Sequence, residues 1–187
     1  MNTEKEVKVL LNVDEYERLS RLFEWSNDYI QVNHYYGNTD RESINENTYR
    51  VREKNGGIKL QVKIPIIYDG SLHIKQEYER EINYVPRVLK TKDLSELTGG
   101  FISEDKEYIG RLVTRRKECF QFEDVEICLD RNRYLGKTDY EIEVEYKGHY
   151  PTEIISILEK NGINTEVYVE GKYSRYMKTL FAKRKTK

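Results

Sequence analysis

Apolar and polar residues alternate with a period of two along most of the chain, the repeat of strands with one face buried and the other polar. Near the N-terminus Lys5, Val7, Val9 and Leu11 share one face, and Glu4, Glu6 and Lys8 share the other. Tyr29–Tyr36 is a second predicted strand, rich in aromatic and β-branched residues. In Tyr49-Arg50-Val51-Arg52 two arginines fall on one face, and Asn55-Gly56-Gly57 follows as a hairpin turn where positive φ is cheap. The returning segment sets Ile58, Leu60, Val62 and Ile64 against Lys59, Gln61 and Lys63. After Asp69-Gly70, Leu72, Ile74, Tyr78 and Ile82 alternate with His73, Lys75, Glu77, Glu79 and Glu81. Leu112 and Val113 lead into Thr114-Arg115-Arg116-Lys117-Glu118, whose register the pattern leaves open. Val125, Ile127 and Leu129 then oppose Glu126, Cys128 and Asp130; Tyr140, Ile142, Val144 and Tyr146 oppose Glu141, Glu143 and Glu145. Some eight strands joined mostly by short turns predict antiparallel pairing.

Three segments carry helical spacing instead. Asp14 is the expected N-cap of the first, with Tyr16, Leu19, Leu22 and Phe23 as its apolar stripe. Pro151 opens the second, which holds Ile154, Ile155, Ile157 and Leu158 and closes at Gly162. The third begins at Ser174 and carries Tyr176, Met177, Leu180 and Phe181 before a basic tail, residues 183–187, expected to be frayed and flexible. Short helical turns are expected at Pro86–Leu89 and Asp93–Leu97. The 187 residues read as one domain without an internal linker.

Composition narrows the partners. The 32 Lys+Arg against 33 Asp+Glu leave a net charge of −1, which lacks the basic excess of a nucleic-acid binder. No apolar run approaches the roughly 20 residues of a membrane span, and the polar start Met1-Asn2-Thr3-Glu4-Lys5-Glu6 does not resemble a signal peptide. Two cysteines, Cys119 and Cys128, without zinc spacing fit a reducing, cytoplasmic setting. His34, His73 and His149 match no triad or zinc pattern.

Charged residues make up 35% of the chain, above the usual quarter, so their placement matters. They cluster by sign: Glu4/Glu6, Glu77/Glu79/Glu81 and Glu141/Glu143/Glu145 on some strands, Arg50/Arg52 and Lys59/Lys63 on others. Like charges side by side on a strand face repel, so stacking them does not stabilise a fold. If the helices cover the outside of a curled or closed sheet, the charged faces look inward onto a polar tunnel. An open α+β sandwich satisfies the helices equally well. Grouped carboxylates call for a hard divalent cation such as Mg2+ or Mn2+, and grouped arginines and lysines call for phosphate.

The same residues resemble a known family. Glu4-Lys5-Glu6-Val7-Lys8 is similar to the ExExK motif of the CYTH family, the triphosphate tunnel metalloenzymes, with the bacterial branch the nearest fit. In order follow Asn33-His34-Tyr35-Tyr36, Tyr49-Arg50-Val51-Arg52-Glu53-Lys54, Leu60-Gln61-Val62-Lys63, Glu77-Tyr78-Glu79-Arg80-Glu81, Leu112-Val113-Thr114-Arg115-Arg116, Val125–Asp130, Tyr134–Glu143 and Lys172-Tyr173-Ser174-Arg175-Tyr176. The resemblance implies an α+β, mainly β fold: an eight-stranded antiparallel β-barrel forming a tunnel, with helices packed on the outside. It implies metal ligation by Glu4, Glu6, Glu141 and Glu143, and triphosphate binding by Lys8, Arg50, Arg52, Lys63, Arg116 and Lys172. Lys8, Arg52 and Glu143 are the implied catalytic residues. Glu79, Glu81 and Asp130 are further tunnel acids, and Cys128 stands where relatives often carry an acid.

The implied reaction is divalent-metal-dependent hydrolysis of a triphosphate, first among them inorganic tripolyphosphate, to pyrophosphate and phosphate. The alternatives are a thiamine or nucleoside triphosphatase, with Trp25 and tyrosines as an aromatic shelf at the tunnel mouth, a class IV-type adenylate cyclase, and a non-enzymatic polyphosphate-binding module. The expected partner is a small-molecule triphosphate, with no nucleic acid or membrane, bound by a monomer or homodimer.

Overall fold

The computed structural model describes residues 2–37, 47–100, 102 and 104–185. Eight strands form the barrel: β1 (Asn2–Leu11), β2 (Asn27–Gly37), β3 (Thr48–Lys54), β4 (Gly57–Asp69), β5 (Leu72–Glu81), β7 (Lys106–Phe122), β8 (Val125–Tyr134) and β9 (Lys137–Tyr146). They run in the order β2-β3-β4-β5-β1-β9-β8-β7, all antiparallel, and a β2–β7 pairing closes the ring. A two-residue strand, β6 (Val88–Leu89), adds to the edge of β7. Pro86–Leu89 is therefore extended rather than helical: Leu89 pairs with Lys106, and Pro86 accepts a hydrogen bond from the Tyr36 hydroxyl.

The register explains which inward-facing groups meet. Directly opposed residues on antiparallel strands share a face. Lys8 opposes Glu143, Glu6 opposes Glu145 and His73, Arg50 opposes Gln61, Arg52 opposes Asn33, and Arg116 opposes Asp130. All of these look into the barrel. Arg116, not Arg115, takes the inward place; Arg115 is exposed and pairs with Asp28 at 2.8 Å. Periodicity left Thr114–Glu118 open because both faces of that stretch are polar, with Thr114, Arg116 and Glu118 inward and Arg115 and Lys117 outward; the shifts of β7, near Tyr108–Gly110 and between Cys119 and Phe122, lie to either side.

The apolar core lies outside the barrel wall. Helices α1 (Val13–Leu19) and α3 (Thr152–Lys160) cover β1, β8 and β9, burying Val7, Leu19, Ile127, Leu129, Ile142, Val144, Ile154 and Leu158. Helix α2 (Thr91–Thr98) covers β3, β4 and β5 through Leu94 against Val51, Leu60 and Val62. Truncating any of these buried leucines or isoleucines to Ala costs about 2–5 kcal/mol. The N-cap of α1 is Asn12, two residues before the expected Asp14: Asn12 accepts from the Glu15 N–H at 2.9 Å, and Glu15 accepts from the Asn12 N–H at 2.7 Å.

Helix α4 (Lys172–Lys185) departs from the expected coat. Tyr173, Tyr176 and Met177 pack on Tyr35, Leu112 and Tyr134, and Lys172, Tyr173 and Ser174 line the barrel interior. Tyr35 opposes Arg50, and Leu112 opposes Asn33, so both are inward-facing. At this end the inner face is apolar, and α4 fills it as a plug. Gly110, at φ 137°, makes the fit possible: a Cβ there would lie 1.9 Å from the Tyr176 hydroxyl. The basic residues 183–185 continue the helix and are exposed; 186 and 187 lie outside the described residues.

Candidate active site

The barrel encloses a cavity of about 210 Å³ with an almost wholly ionic lining. One wall, from β3 and β4, carries Arg50, Arg52 and Lys63; the opposite wall, from β1, β8 and β9, carries most of the buried acids. Beside the α4 plug the charges form a tight lattice. Arg116 donates to Asp130 through Nε at 2.8 Å and Nη2 at 2.7 Å, and Nη2 also reaches Glu143. Lys172 lies 2.8 Å from Asp130 and 2.9 Å from Glu143, and contacts Glu141. Lys8 donates to Glu143 and sits 3.3 Å from Glu6, whose carboxylate also takes Lys75. Arg175 donates to Glu141 at 2.8 Å and to Asp139 at 3.1 Å.

Burial alone would push these carboxyls up, but the cations win. Lys75 and Lys8 hold Glu6 well below the usual carboxylate range. Arg175 and Lys172 bring Glu141 down to about 2. Lys172, Lys8 and Arg116 depress Glu143 further. Glu145 goes the other way, to about 8, through burial and the neighbouring Glu4. Its closest cation is Arg116, at 4.0 Å.

The acids fall into groups whose ligand atoms approach within 4.8 Å: Glu4, Glu6 and Glu145 in one, Asp130, Glu141 and Glu143 in another, and Glu118 and Glu126 with the Cys128 thiol in a third. The second group is already neutralised by Lys172, Arg116, Lys8 and Arg175. In the first, Lys63 donates to Glu4 at 2.7 Å and Glu6 takes Lys75 and Lys8, but Glu145 has no cation nearer than Arg116 at 4.0 Å; its three converging oxygen donors, less fully compensated, fit a hard divalent ion. The sequence-predicted ligands Glu4 and Glu6 thus sit in the first group, and Glu141 and Glu143 in the second.

A CYTH domain profile matches residues 2–172, nearly the whole barrel and the start of the plug. The chain belongs to the CYTH family. Among solved structures this CYTH protein is similar to a candidate adenylate cyclase from Bacillus halodurans, at 27% identity and a TM-score of 0.70, covering 94% of this chain and 99% of that one. A candidate adenylyl cyclase from Hippeastrum with a dominant triphosphatase activity shares the fold at 19% identity and TM-score 0.70, over 94% and 95% of the two chains. The Mimivirus capping enzyme triphosphatase shares it at 12% identity and TM-score 0.52, over 85% and 87%. No curated protein matches the CYTH chain in sequence. Among the described residues no helix is long and apolar enough to cross a membrane.

The barrel brings Glu4, Glu6, Lys8, Arg50, Arg52, Lys63, Glu79, Arg116, Glu143 and Lys172 to one cavity. Glu141 and Asp130 also face inward, fully buried beside the α4 plug next to the cavity rather than lining it. Glu81 is exposed and joins Glu79 and Lys59 at the rim beyond the cavity. Trp25 is no tunnel-mouth shelf: it packs outside the barrel on Phe23, its indole N–H donating to the Ser20 carbonyl at 2.9 Å. The aromatic residues that do reach the cavity are Tyr29, Tyr35, Tyr68 and Tyr173. Sequence reasoning passed over Lys75, Glu145 and Arg175 as site residues. The signals were there: Lys75 and Glu145 sit two residues from charged tunnel positions on their strands, and Arg175 is one helical turn after Lys172.

Proposed function

We propose that this CYTH protein is a divalent-metal-dependent triphosphatase, with inorganic tripolyphosphate as its first substrate, hydrolysed to pyrophosphate and phosphate. One observation carries the reading: a single cavity holds Arg50, Arg52 and Lys63 together with the Glu4/Glu6/Glu145 group, Lys63 donating to Glu4 at 2.7 Å. A cavity with two arginines that make no carboxylate hydrogen bond, Arg50 and Arg52, and with a carboxylate cluster suits a polyphosphate that arrives with its metal. A simple polyanion-binding module would have no use for the cluster.

Arg50, Arg52 and Lys63 bind and orient the phosphate chain, the arginines through directional forks and the lysine as a point charge. Glu4, Glu6 and Glu145 would hold the cation; when bound, Mg2+ or Mn2+ supplies charge neutralisation on phosphate oxygens. Lys8 stays charged although buried, because Glu143 and Glu6 outweigh the desolvation, and it presents that charge to the cavity. Glu143 is engaged by Lys8, Arg116 and Lys172, so it works by fixing three cations rather than as a free proton acceptor. Catalysis on this reading comes from positioning and electrostatics, which dominate phosphoryl transfer.

The likeness to the Bacillus halodurans protein, itself a candidate adenylate cyclase, keeps cyclisation as the second reading. Both reactions need the same triphosphate contacts. Phosphate release from tripolyphosphate, ATP and thiamine triphosphate with Mg2+ or Mn2+, together with a cyclic AMP assay, separates them. Release from tripolyphosphate is expected to be fastest. Cyclic AMP without phosphate release would make the protein a cyclase, and no turnover of any triphosphate would reduce it to a binding module.

A further inference from the structure

Four arginines reach the tunnel, and they are held in two different ways. Arg116 is gripped by Asp130, and Arg175 by Asp139 and Glu141, in each case through Nε and an Nη together. Arg50 and Arg52 are held by neutral amides. Arg50 Nε donates to Gln61 Oε1 at 2.8 Å, and Arg52 Nε donates to Asn33 Oδ1 at 3.0 Å. The Gln61 amide is itself oriented, because its Nε2 donates to Glu79 at 2.8 Å. Glu79 therefore fixes Arg50 at one remove, with a neutral group between the two charges.

The amides leave the phosphate-binding edge open. Arg50 Nη2 is buried without a hydrogen-bond partner; Glu77 makes a loose ion pair with it at 3.8 Å, too long for a hydrogen bond. Asn33 Nδ2 is likewise buried and without a partner. Among the described residues no carboxylate lies within ion-pairing distance of Arg52, and Asn33 is its hydrogen-bond acceptor. A carboxylate in place of either amide would accept the same Nε hydrogen bond but would also cancel the charge and attract the Nη groups.

Resting on the triphosphatase reading above, we infer that Asn33 and Gln61 are positioning residues whose neutrality is the point: they aim Arg52 and Arg50 through Nε while leaving their charge and outer N–H groups for the polyphosphate. Two like-charged arginines side by side on β3, with only Glu77 at 3.8 Å from Arg50 to offset them, are then a standing demand for an anion that substrate meets.

The test is a calorimetric titration of inorganic tripolyphosphate into chelator-treated, full-length protein, comparing wild type with Asn33→Asp, Asn33→Ala and Gln61→Glu. Losing one charge-assisted phosphate contact weakens binding about ten- to a hundredfold. Asn33→Asp and Gln61→Glu are expected to lose that much, and Asn33→Ala less, although aspartate is the better acceptor. In turnover assays the acid substitutions are expected to raise KM far more than they lower kcat. A role in structure alone would give the opposite rank, with Ala the more damaging, and that order would overturn the inference. So would wild-type affinity in both acid variants. Gln61→Glu decides the matter independently should Asn33→Asp fail to fold. A wild-type protein that does not take up tripolyphosphate would overturn the reading of the site itself, a different outcome from one that binds it and tolerates the acid variants.

Discussion

Arg116 and Asp130 face each other across β7 and β8 with two parallel hydrogen bonds of 2.8 and 2.7 Å, and the aspartate is fully buried. Removing one partner of such a pair leaves an uncompensated charge and costs about 3–5 kcal/mol. Lys172, 2.8 Å from Asp130, offsets part of that loss. Arg116→Met is therefore expected to lower the unfolding free energy by about 3 kcal/mol, and adding Asp130→Asn to restore part of it. Denaturant titrations check this; an unmoved midpoint in Arg116→Met would mean that the pair does not hold the wall.

Glu145 is the tunnel acid whose carboxyl is raised, to about 8, while Glu6 and Glu141 are held down. At neutral pH the metal-free carboxyl carries its proton, and glutamine is close to its isostere. Glu145→Gln should leave the thermal midpoint at pH 7 nearly unchanged and weaken Mn2+ binding by about tenfold or more, read by electron paramagnetic resonance. Glu6→Gln should instead lower both metal-dependent turnover and stability, because Lys75 and Lys8 lose their shared partner. Unchanged Mn2+ affinity in Glu145→Gln would remove that residue from the metal site.

Acid should unfold the barrel through groups such as Glu141. Its folded-state value is about 2 against 4.5 for an unperturbed carboxyl, the cations Arg175 and Lys172 having overcome burial. A depressed group contributes stability that is complete above its unfolded value and is lost as pH falls toward the folded one. The window for Glu141 is thus roughly pH 4.5 down to 2, with about 3 kcal/mol at stake. Arg175→Gln is expected to shift the acid transition to higher pH, followed by circular dichroism. An acid limb unaffected by that change would deny Arg175 its role.

Gly110 and Tyr176 set the seat of the plug. Gly110→Ala forces a β-carbon into the tyrosine hydroxyl at a φ of 137°, and backbone strain with overpacking should cost about 2–4 kcal/mol. Tyr176→Phe removes the hydroxyl, so the alanine should be less damaging in that background. Chemical denaturation of the double-mutant cycle gives the coupling; additive effects would place the contact elsewhere.

The wall of the barrel was legible because period-two alternation survives in β1, β4, β5, β8 and β9, where one face meets helices and the other meets ions. The site was legible for the same reason: Glu4, Glu6, Arg50, Arg52 and Glu143 stand at alternate positions of those strands or of β3. What failed had no periodic signature. β6 is two residues long, and β7 is polar on both faces over Thr114–Glu118 with register shifts to either side, so neither presents a clean repeat. Helix α4 has the apolar stripe of a surface helix, and nothing in Tyr176, Met177 and Leu180 says that the surface they cover is the inside of a barrel. The hydrogen bonding of Arg50 and Arg52 to amides depends on strand register, which alternation alone does not fix across strands.

Because α4 stoppers one end, the bore is a cul-de-sac. On the proposed reading a long phosphate polymer cannot be threaded through and cut midway; only a terminus can be offered to the ions at the bottom, and whatever is released must back out by the door through which it came.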